Sequence, residues 1–415
     1  MRLLHVTHQY PPAVGGAELH IANVSEELAV RGHEVTVFTA RSRDYRSWRN
    51  ELSPFEQLAG VKVHRFSSLV RGKRTLRLLN SGYRNYARTR SRLYEPWIFL
   101  GNGPVCPGLF WAVLGQAKRY DVIHINNLHY AHAALAFKAA RWRGIPVVLT
   151  PHIHIEQPTT YDVGYMWEIL RKSDHVITDT QAERKFVIDA GLRRQDVTTA
   201  GVGLRLERFH ILDQTTHRRN LELPADAFVV LFLGRKTEYK GLELVLEAFA
   251  ALRGRHPHLY LLAVGADTDH SRALWSKHSG LEGVRNLGNV SDATKLAALN
   301  ACDCLVMPSR AEAFGIVYVE AWAVGKPVIG ARTRAVSSLI ADGEDGYLVS
   351  PSSPRELMER ISDLVENPTQ ARQMGERGRS KVLSRYTVAR ISDIVEGVYL
   401  RVLRRVHQTA SGGKR

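Results

Sequence analysis

The sequence predicts an α/β protein made of two doubly wound, Rossmann-like domains facing across a cleft. Three observations predict it. Short runs rich in Val, Ile and Leu alternate with helical patterns along nearly the whole chain, as in parallel sheets covered on both faces. The chain has 415 residues, enough for two ordinary cores. A polar break at roughly 207–225 separates two stretches of this alternation. The expected divisions are 1–206, 207–385 and a terminal segment 386–415. That segment is a helix placed to pack back on the first domain, followed by a short flexible tail. In doubly wound sheets ligands sit outside the carboxyl ends of the strands, so the cleft between two such domains is the expected site.

The elements follow in order. "RLLHVTH" is a strand, and "GGAELHIANVSEELAVRG" is a helix with apolar residues at helical spacing and Gly32 as its stop. "HEVTVFTA" is the next strand. Further on come the strand "DVIHINN", the helix "HYAHAALAFKAARWRG", the strand "PVVLTPH", a helix around 161–172, the strand "HVITDT" and the helix "AERKFVIDAG". The second half opens on the strand "FVVLFLG". It continues with "GLELVLEAFAALRGRHP" (helix), "LYLLAVG" (strand), "VRNLGNV" (strand and turn), "SDATKLAALNAC" (helix) and "CLVMPS" (strand). A helix starting near Phe314 or Gly315 ends at Val324, with Gly325 as C-cap and Pro327 beyond. "PVIGA", "GYLV" and a helix from about 354 complete the pattern.

Three stretches could carry chemistry. In "YPPAVGGAE" a strand enters a Pro- and Gly-containing loop that feeds a helix. Glycines at 15 and 16 let backbone approach an anion at the positive end of the helix. In "FLGRKTEYKG" a buried strand ends at Leu233, and Arg235 and Lys240 stand beyond it, where a diphosphate leaving group would need neutralising. In "PSRAEAFGIVYVEAWAVGKPVIG" two carboxylates bracket a helix start. Glu312 sits in the loop and Glu320 lies about 8 Å further along the axis at 1.5 Å per residue. Carboxylates so spaced suit the hydroxyl pairs of a sugar and a ribose. The plainer readings are an N-cap for Glu312 and an Arg partner for Glu320.

The net charge is +16, and residues 41–92 hold fourteen Lys and Arg against three Asp and Glu. This block favours an acidic partner, whether lipid headgroup, phosphorylated ligand or nucleic acid. No single-strand or RNA-binding motif interleaves aromatics with these cations, so nucleic acid is not expected. Residues 96–117 carry no charge, but three Pro and four Gly argue against one spanning helix. A loop and then a helix from about 107 to 119 are expected, and their Trp and Phe could dip into a bilayer surface. Cys106, Cys302 and Cys304 are too few for a disulfide framework and read as core residues of a reducing, cytoplasmic protein. "DTD" at Asp267–Asp269 stands away from the diphosphate cations, and no metal is expected there.

The ordered set GGxE, GRxxxxKG and ExFGxxxxE resembles the retaining glycosyltransferases of family 4, which have the GT-B fold. "LGNVSD", "DGEDGYLV", "TPH" and "HVITDTQAERKFV" extend the resemblance over nearly the whole chain. It implies a nucleoside diphosphate sugar as donor, no cofactor and no metal. It implies that the Gly16 N–H lies near the donor phosphate, and that Arg235 and Lys240 neutralise the diphosphate. Glu312 would hold hydroxyls of the transferred sugar, and Glu320 those of the ribose. Phe314, Gly315 and Ile316 would offer backbone N–H groups, Val290 would lie beside the nucleobase, and His152 would face the sugar at the reaction centre. His129 and His154 compete for that last place, but His152 directly follows the strand end. The implied acceptor is a glycan, lipid-linked or anionic molecule held by the first domain. The basic block at 41–92 is assigned to that acceptor side, and with the apolar stretch after it leads us to expect peripheral contact with an anionic membrane. One departure concerns the entry to the second domain, where Ala200 and Arg205 replace the family's Asn and Asp. An epimerase or a disaccharide phosphorylase on the same fold is the alternative. The first needs no acceptor and the second needs free phosphate.

Overall fold

The structure is a computed structural model, and it describes residues 1–13, 15–45 and 47–412. The chain forms two compact units, 1–203 with the returning segment from Val388, and 204–387. The divisions therefore fall at 203/204 and 387/388, not at 206/207 and 385/386. The terminal helix Val388–Gly412 takes in the first two residues of "SGGKR" (411–415), the stretch expected as the tail. The rest of that tail, 413–415, lies outside the described residues.

The first unit is an eight-stranded sheet. Its strands are β1 (Arg2–Thr7), β2 (Glu34–Ala40), β3 (Phe55–Leu58), β4 (Val61–Phe66), β5 (Val122–Asn126), β6 (Val147–Thr150), β7 (His175–Thr178) and β8 (Val197–Thr199). Their order is β3-β4-β2-β1-β5-β6-β7-β8. All pairs are parallel except β3 with β4, a hairpin at the edge. β5 and β6 are buried along their whole length, as strands covered by helices on both faces must be. The expected helix at 161–172 is two pieces, Pro158–Tyr161 and Gly164–Lys172. The one expected at 107–119 is Pro107–Gln116, followed by a single 3₁₀ turn. The stretch before it, expected as a loop, is largely the helix Glu95–Asn102, with Pro96 in its first turn where a proline is tolerated.

The terminal helix belongs to this first unit. It packs on the helix Gly16–Val30 and buries Ile391, Val395, Val398, Tyr399 and Val402 at helical spacing. Each such residue contributes roughly 1.5–3 kcal/mol of transfer free energy, before the cost of ordering the helix. Tyr399 also carries polar order into the core. Its hydroxyl lies 2.6 Å from His124 Nδ1 and 3.1 Å from His5 Nε2. His124 Nε2 reaches Thr150 Oγ1 and His5 Nδ1 reaches Ser25 Oγ, so four buried groups on four elements of the unit share one network with the helix.

The second unit is a six-stranded, fully parallel sheet of β9 (Phe228–Leu233), β10 (Leu259–Val264), β11 (Val284–Gly288), β12 (Cys304–Met307), β13 (Val328–Ala331) and β14 (Gly346–Val349). The order is β11-β10-β9-β12-β13-β14. The chain winds outward from β9 to β11, then returns to β12 and winds the other way. The switch point lies between β9 and β12, and the loops that leave these strands flank the crevice where such sheets bind ligands. In the first unit the same reversal falls between β1 and β5. Cys106, Cys302 and Cys304 are free thiols in the two cores.

Candidate active site

At the switch point of the second unit, the loop after β9 and the loop after β12 are tied by one ion pair. Lys240 Nζ lies 2.6 Å from Glu312 Oε1, and both side chains are largely buried. Burial opposes the charge on Lys240, but Glu312 and Tyr239 outweigh it and hold the ammonium above its usual range. The ammonium also lies 5.3 Å from the centre of the Tyr239 ring. Gly241, with φ +79°, turns this loop into the helix Leu242–Arg253. A Cβ there would meet the Pro308 carbonyl oxygen at 2.7 Å, so only glycine lets the two loops approach so closely.

Arg235 is exposed and follows Gly234, which takes up φ +155°. The next residue, Lys236, is fully buried. Its Nζ donates to the Gly265 carbonyl and lies 3.5 Å from Asp267. Burial dominates and lowers the pKa of Lys236, which anchors the loop that presents Arg235. Asp267, in the "DTD" segment, also accepts from Trp275, Ser271 and Asn286. Among the described residues no group of three or more His, Cys, Asp or Glu is placed to hold a metal.

Beyond β12, the helix starts at Ile316 and not at Phe314 or Gly315. Gly315 is its N-cap, in left-handed conformation at φ +93°. A Cβ on Gly315 would lie 2.6 Å from the Tyr318 ring, which is itself pinned by a 2.6 Å bond from its hydroxyl to the Met307 carbonyl. Glu312 is therefore not the N-cap. Phe314 is buried and meets the Tyr386 ring edge-on. Glu320 is buried and accepts from Lys295 Nζ at 2.9 Å, so its partner is a lysine from the helix Asp292–Ala301 and not an arginine. Burial disfavours the Lys295 charge, and Glu320 outweighs it and raises its pKa. Val290, half-buried, immediately precedes the N-cap Ser291 of that same helix.

In the first unit, Gly16 opens its helix and Gly15 precedes it. A side chain on Gly15 would collide with the Glu18 carboxylate, which pairs with His8 Nε2 at 2.8 Å. Burial works against that carboxylate, and His8 outweighs it and keeps the Glu18 pKa low. The GGxE pattern thus packs a buried glutamate under the loop.

His152 stands beyond β6 with φ +53°, rare for a residue with a side chain. Its Nδ1 donates to Asp179 Oδ2 at 2.6 Å and its Nε2 to Asn126 Oδ1 at 2.8 Å. Asn126 Nδ2 is directed at Thr7 and Ala17, which fixes its carbonyl toward the histidine. A ring that donates from both nitrogens is an imidazolium. Burial resists that charge, but Asp179 outweighs it and raises the His152 pKa, with Glu183 and Glu18 adding. Glu183 braces this arrangement, accepting from the N–H groups of Ile153 and Asp179 at 2.7 Å each. Burial and the Asp179 charge push its own pKa up to about 8. Of the competitors, His154 stacks on Tyr161, and the half-buried His129 meets the Tyr130 ring edge-on.

Two Rossmann-like sheets, each with polar groups at a carboxyl-edge switch point, are the architecture of the GT-B fold. The chain belongs to the glycosyl transferases group 1 family: that model matches residues 213–381, and the glycosyl transferase 4-like domain model matches 15–203. Its activity is the transfer of a sugar from a nucleotide-sugar donor. Among curated relatives, glycogen synthase of Mycobacterium tuberculosis (strain H37Rv) is 25% identical over 96% of this chain and 94% of its own. D-inositol 3-phosphate glycosyltransferase of Thermobispora bispora is 26% identical over 96% and 92%. Among solved structures, sucrose-phosphate synthase from Thermosynechococcus elongatus superposes with a TM-score of 0.75, 20% identity, 98% of this chain and 100% of that one. Anabaena Alr3699/HepE in complex with UDP and glucose gives 0.73, 21%, 96% and 98%.

Proposed function

We propose that transfer proceeds with retention of anomeric configuration, without a metal, from a nucleoside diphosphate hexose to an acceptor hydroxyl of a glycan, a lipid-linked molecule or another anionic acceptor. The observation that carries this is the Lys240–Glu312 pair at the switch point between β9 and β12. A lysine held charged beside a carboxylate can do two jobs at once. The cation, with Arg235, neutralises the departing diphosphate, and Glu312 accepts hydrogen bonds from hydroxyls of the sugar. Backbone N–H groups of Phe314, Gly315 and Ile316 add donors at the positive end of the helix. Glu320 takes the ribose hydroxyls, oriented by Lys295, and Val290 lies against the nucleobase. In the first unit, Gly16 serves the donor phosphate and His152 the transferred sugar. The His152 ring already donates from both nitrogens and is no proton acceptor. The departing phosphate therefore takes the acceptor proton as the acceptor attacks the same face that the leaving group vacates. The reaction belongs to the cytoplasm, in keeping with three free, buried thiols.

Purified protein incubated with UDP-glucose, the donor bound in a structure of the Anabaena relative, and with other nucleotide sugars tests this. We expect release of the nucleoside diphosphate, unchanged by a chelator, and an anomeric proton of the donor's configuration in any transfer product. Lys240→Ala and Glu312→Ala should each lower turnover at least ~100-fold. Wild-type rates in both variants would remove the site assignment, and abolition by the chelator would remove the metal-free mechanism.

A further inference from the structure

Between Glu56 and Glu95 the chain holds ten Lys and Arg and no Asp or Glu. Much of this stretch forms the first limb of a helical hairpin, Lys73–Thr89 followed by Glu95–Asn102. Glycines bring the limbs together. A Cβ on Gly82 would lie 3.1 Å from both Ile98 Cγ1 and Trp97 Cβ, and one on Gly101 would collide with Leu79. The first limb turns Gly82 and Tyr86 inward. At 3.6 residues per turn, Lys73, Arg77, Arg84 and Arg88 fall within about 60° of arc on the opposite side. All four are exposed, and none pairs with a carboxylate among the described residues.

The second limb shows solvent something else. Trp97 and Leu100, three positions apart on one face of this helix, are 43% and 42% exposed, and Leu93, in the 3₁₀ turn Arg92–Tyr94 that leads into it, is 80% exposed. Leu76, on the cationic limb, is exposed too. No single described helix is long and apolar enough to cross a membrane. The segments Arg92–Asn102 and Pro107–Arg119 have the length and composition only together, and they are bent by 96° where they meet. Short, bent apolar helices beside a cationic stripe suit the plane of a membrane interface, where tryptophan is favoured and basic side chains meet anionic headgroups.

We propose that the hairpin Lys73–Asn102 is a docking surface for an anionic lipid bilayer. The stripe of Lys73, Arg77, Arg84 and Arg88 lies over the headgroups, and Leu93, Trp97 and Leu100 enter the interfacial layer. Nucleic acid would answer the charge and leave the apolar face wet, so the pairing of the two favours lipid. None of these residues is assigned to the donor, and the test does not depend on activity.

Co-sedimentation of the full chain with vesicles measures it, using phosphatidylcholine alone or with a third of phosphatidylglycerol, at low and high salt. We expect binding at least about tenfold stronger to the anionic vesicles, weakened by salt. The triple variant Arg77→Glu, Arg84→Glu, Arg88→Glu should lose that preference, and Trp97→Ala with Leu100→Ala should lose about tenfold in affinity at unchanged circular dichroism. Equal binding to both vesicle types overturns the proposal, as does wild-type binding by the charge-reversed variant. Tight binding to arbitrary oligonucleotides with none to vesicles assigns the face to nucleic acid and overturns it as well. Should the triple variant fail to fold, Arg77→Gln and Arg84→Gln singly give the same comparison.

Discussion

Glu312 and Glu320 stand eight positions apart and answer to different lysines, Lys240 and Lys295. From the sequence, each glutamate could be given a job but not a partner. The partners come from the loop after β9 and from a helix 25 positions upstream of Glu320, and no local pattern links residues at that distance. His152 is the sharper case. Its place after a strand was legible, whereas Asp179 and Asn126, which hold its two nitrogens, come from the ends of two other strands and meet it only because the sheet is parallel. Lys236 was passed over beside Arg235, since nothing in a polar turn tells a buried lysine from an exposed one. A raised pKa in the folded state means that the His152 proton stabilises the fold. That contribution is complete below the unfolded value near ~6.5 and is lost as pH rises through the folded value. Asp179→Asn removes the charge that holds the proton. The imidazole resonance of His152 should then titrate at lower pH than in the wild type, and the melting temperature should depend less on pH above neutrality. An unchanged titration would show that Asp179 does not hold the proton.

At the scale of elements, the core strands could be read to within a few residues, because buried parallel strands are short, apolar and bounded by turns, and the helix ends less closely. The edge hairpin of β3 and β4 and the helix Lys73–Thr89 could not. β3 is exposed at alternate positions, and that helix buries only a narrow side, so neither has the apolar run that marks a core element. The start of the helix Ile316–Ala323 turns on one glycine. Gly315→Ala would force a side chain into the left-handed region and against Tyr318, at a cost of about 1–3 kcal/mol. We expect a lower melting temperature together with weaker donor binding, because the N–H groups of this helix start move with the turn. Donor affinity equal to wild type in a folded Gly315→Ala protein would separate the turn from the site.

For the whole molecule, the helix Val388–Gly412 decides the most. It is last in the sequence but belongs to the first unit, where Tyr399 bridges His5 and His124. Tyr399→Phe keeps the apolar fit and leaves two buried imidazole nitrogens without that partner, so it should cost about 1–3 kcal/mol in denaturant unfolding. A loss below about 0.3 kcal/mol would mean that the network is incidental to stability. The same helix also sets an order in time. On the ribosome, residues 1–203 emerge with the seat for Ile391, Val395 and Val402 still vacant. At roughly 5–20 residues per second, residues 204–387 take about 10–40 s to follow. For that interval the nascent first unit carries an open apolar seam, which closes only when the helix Val388–Gly412 has been made.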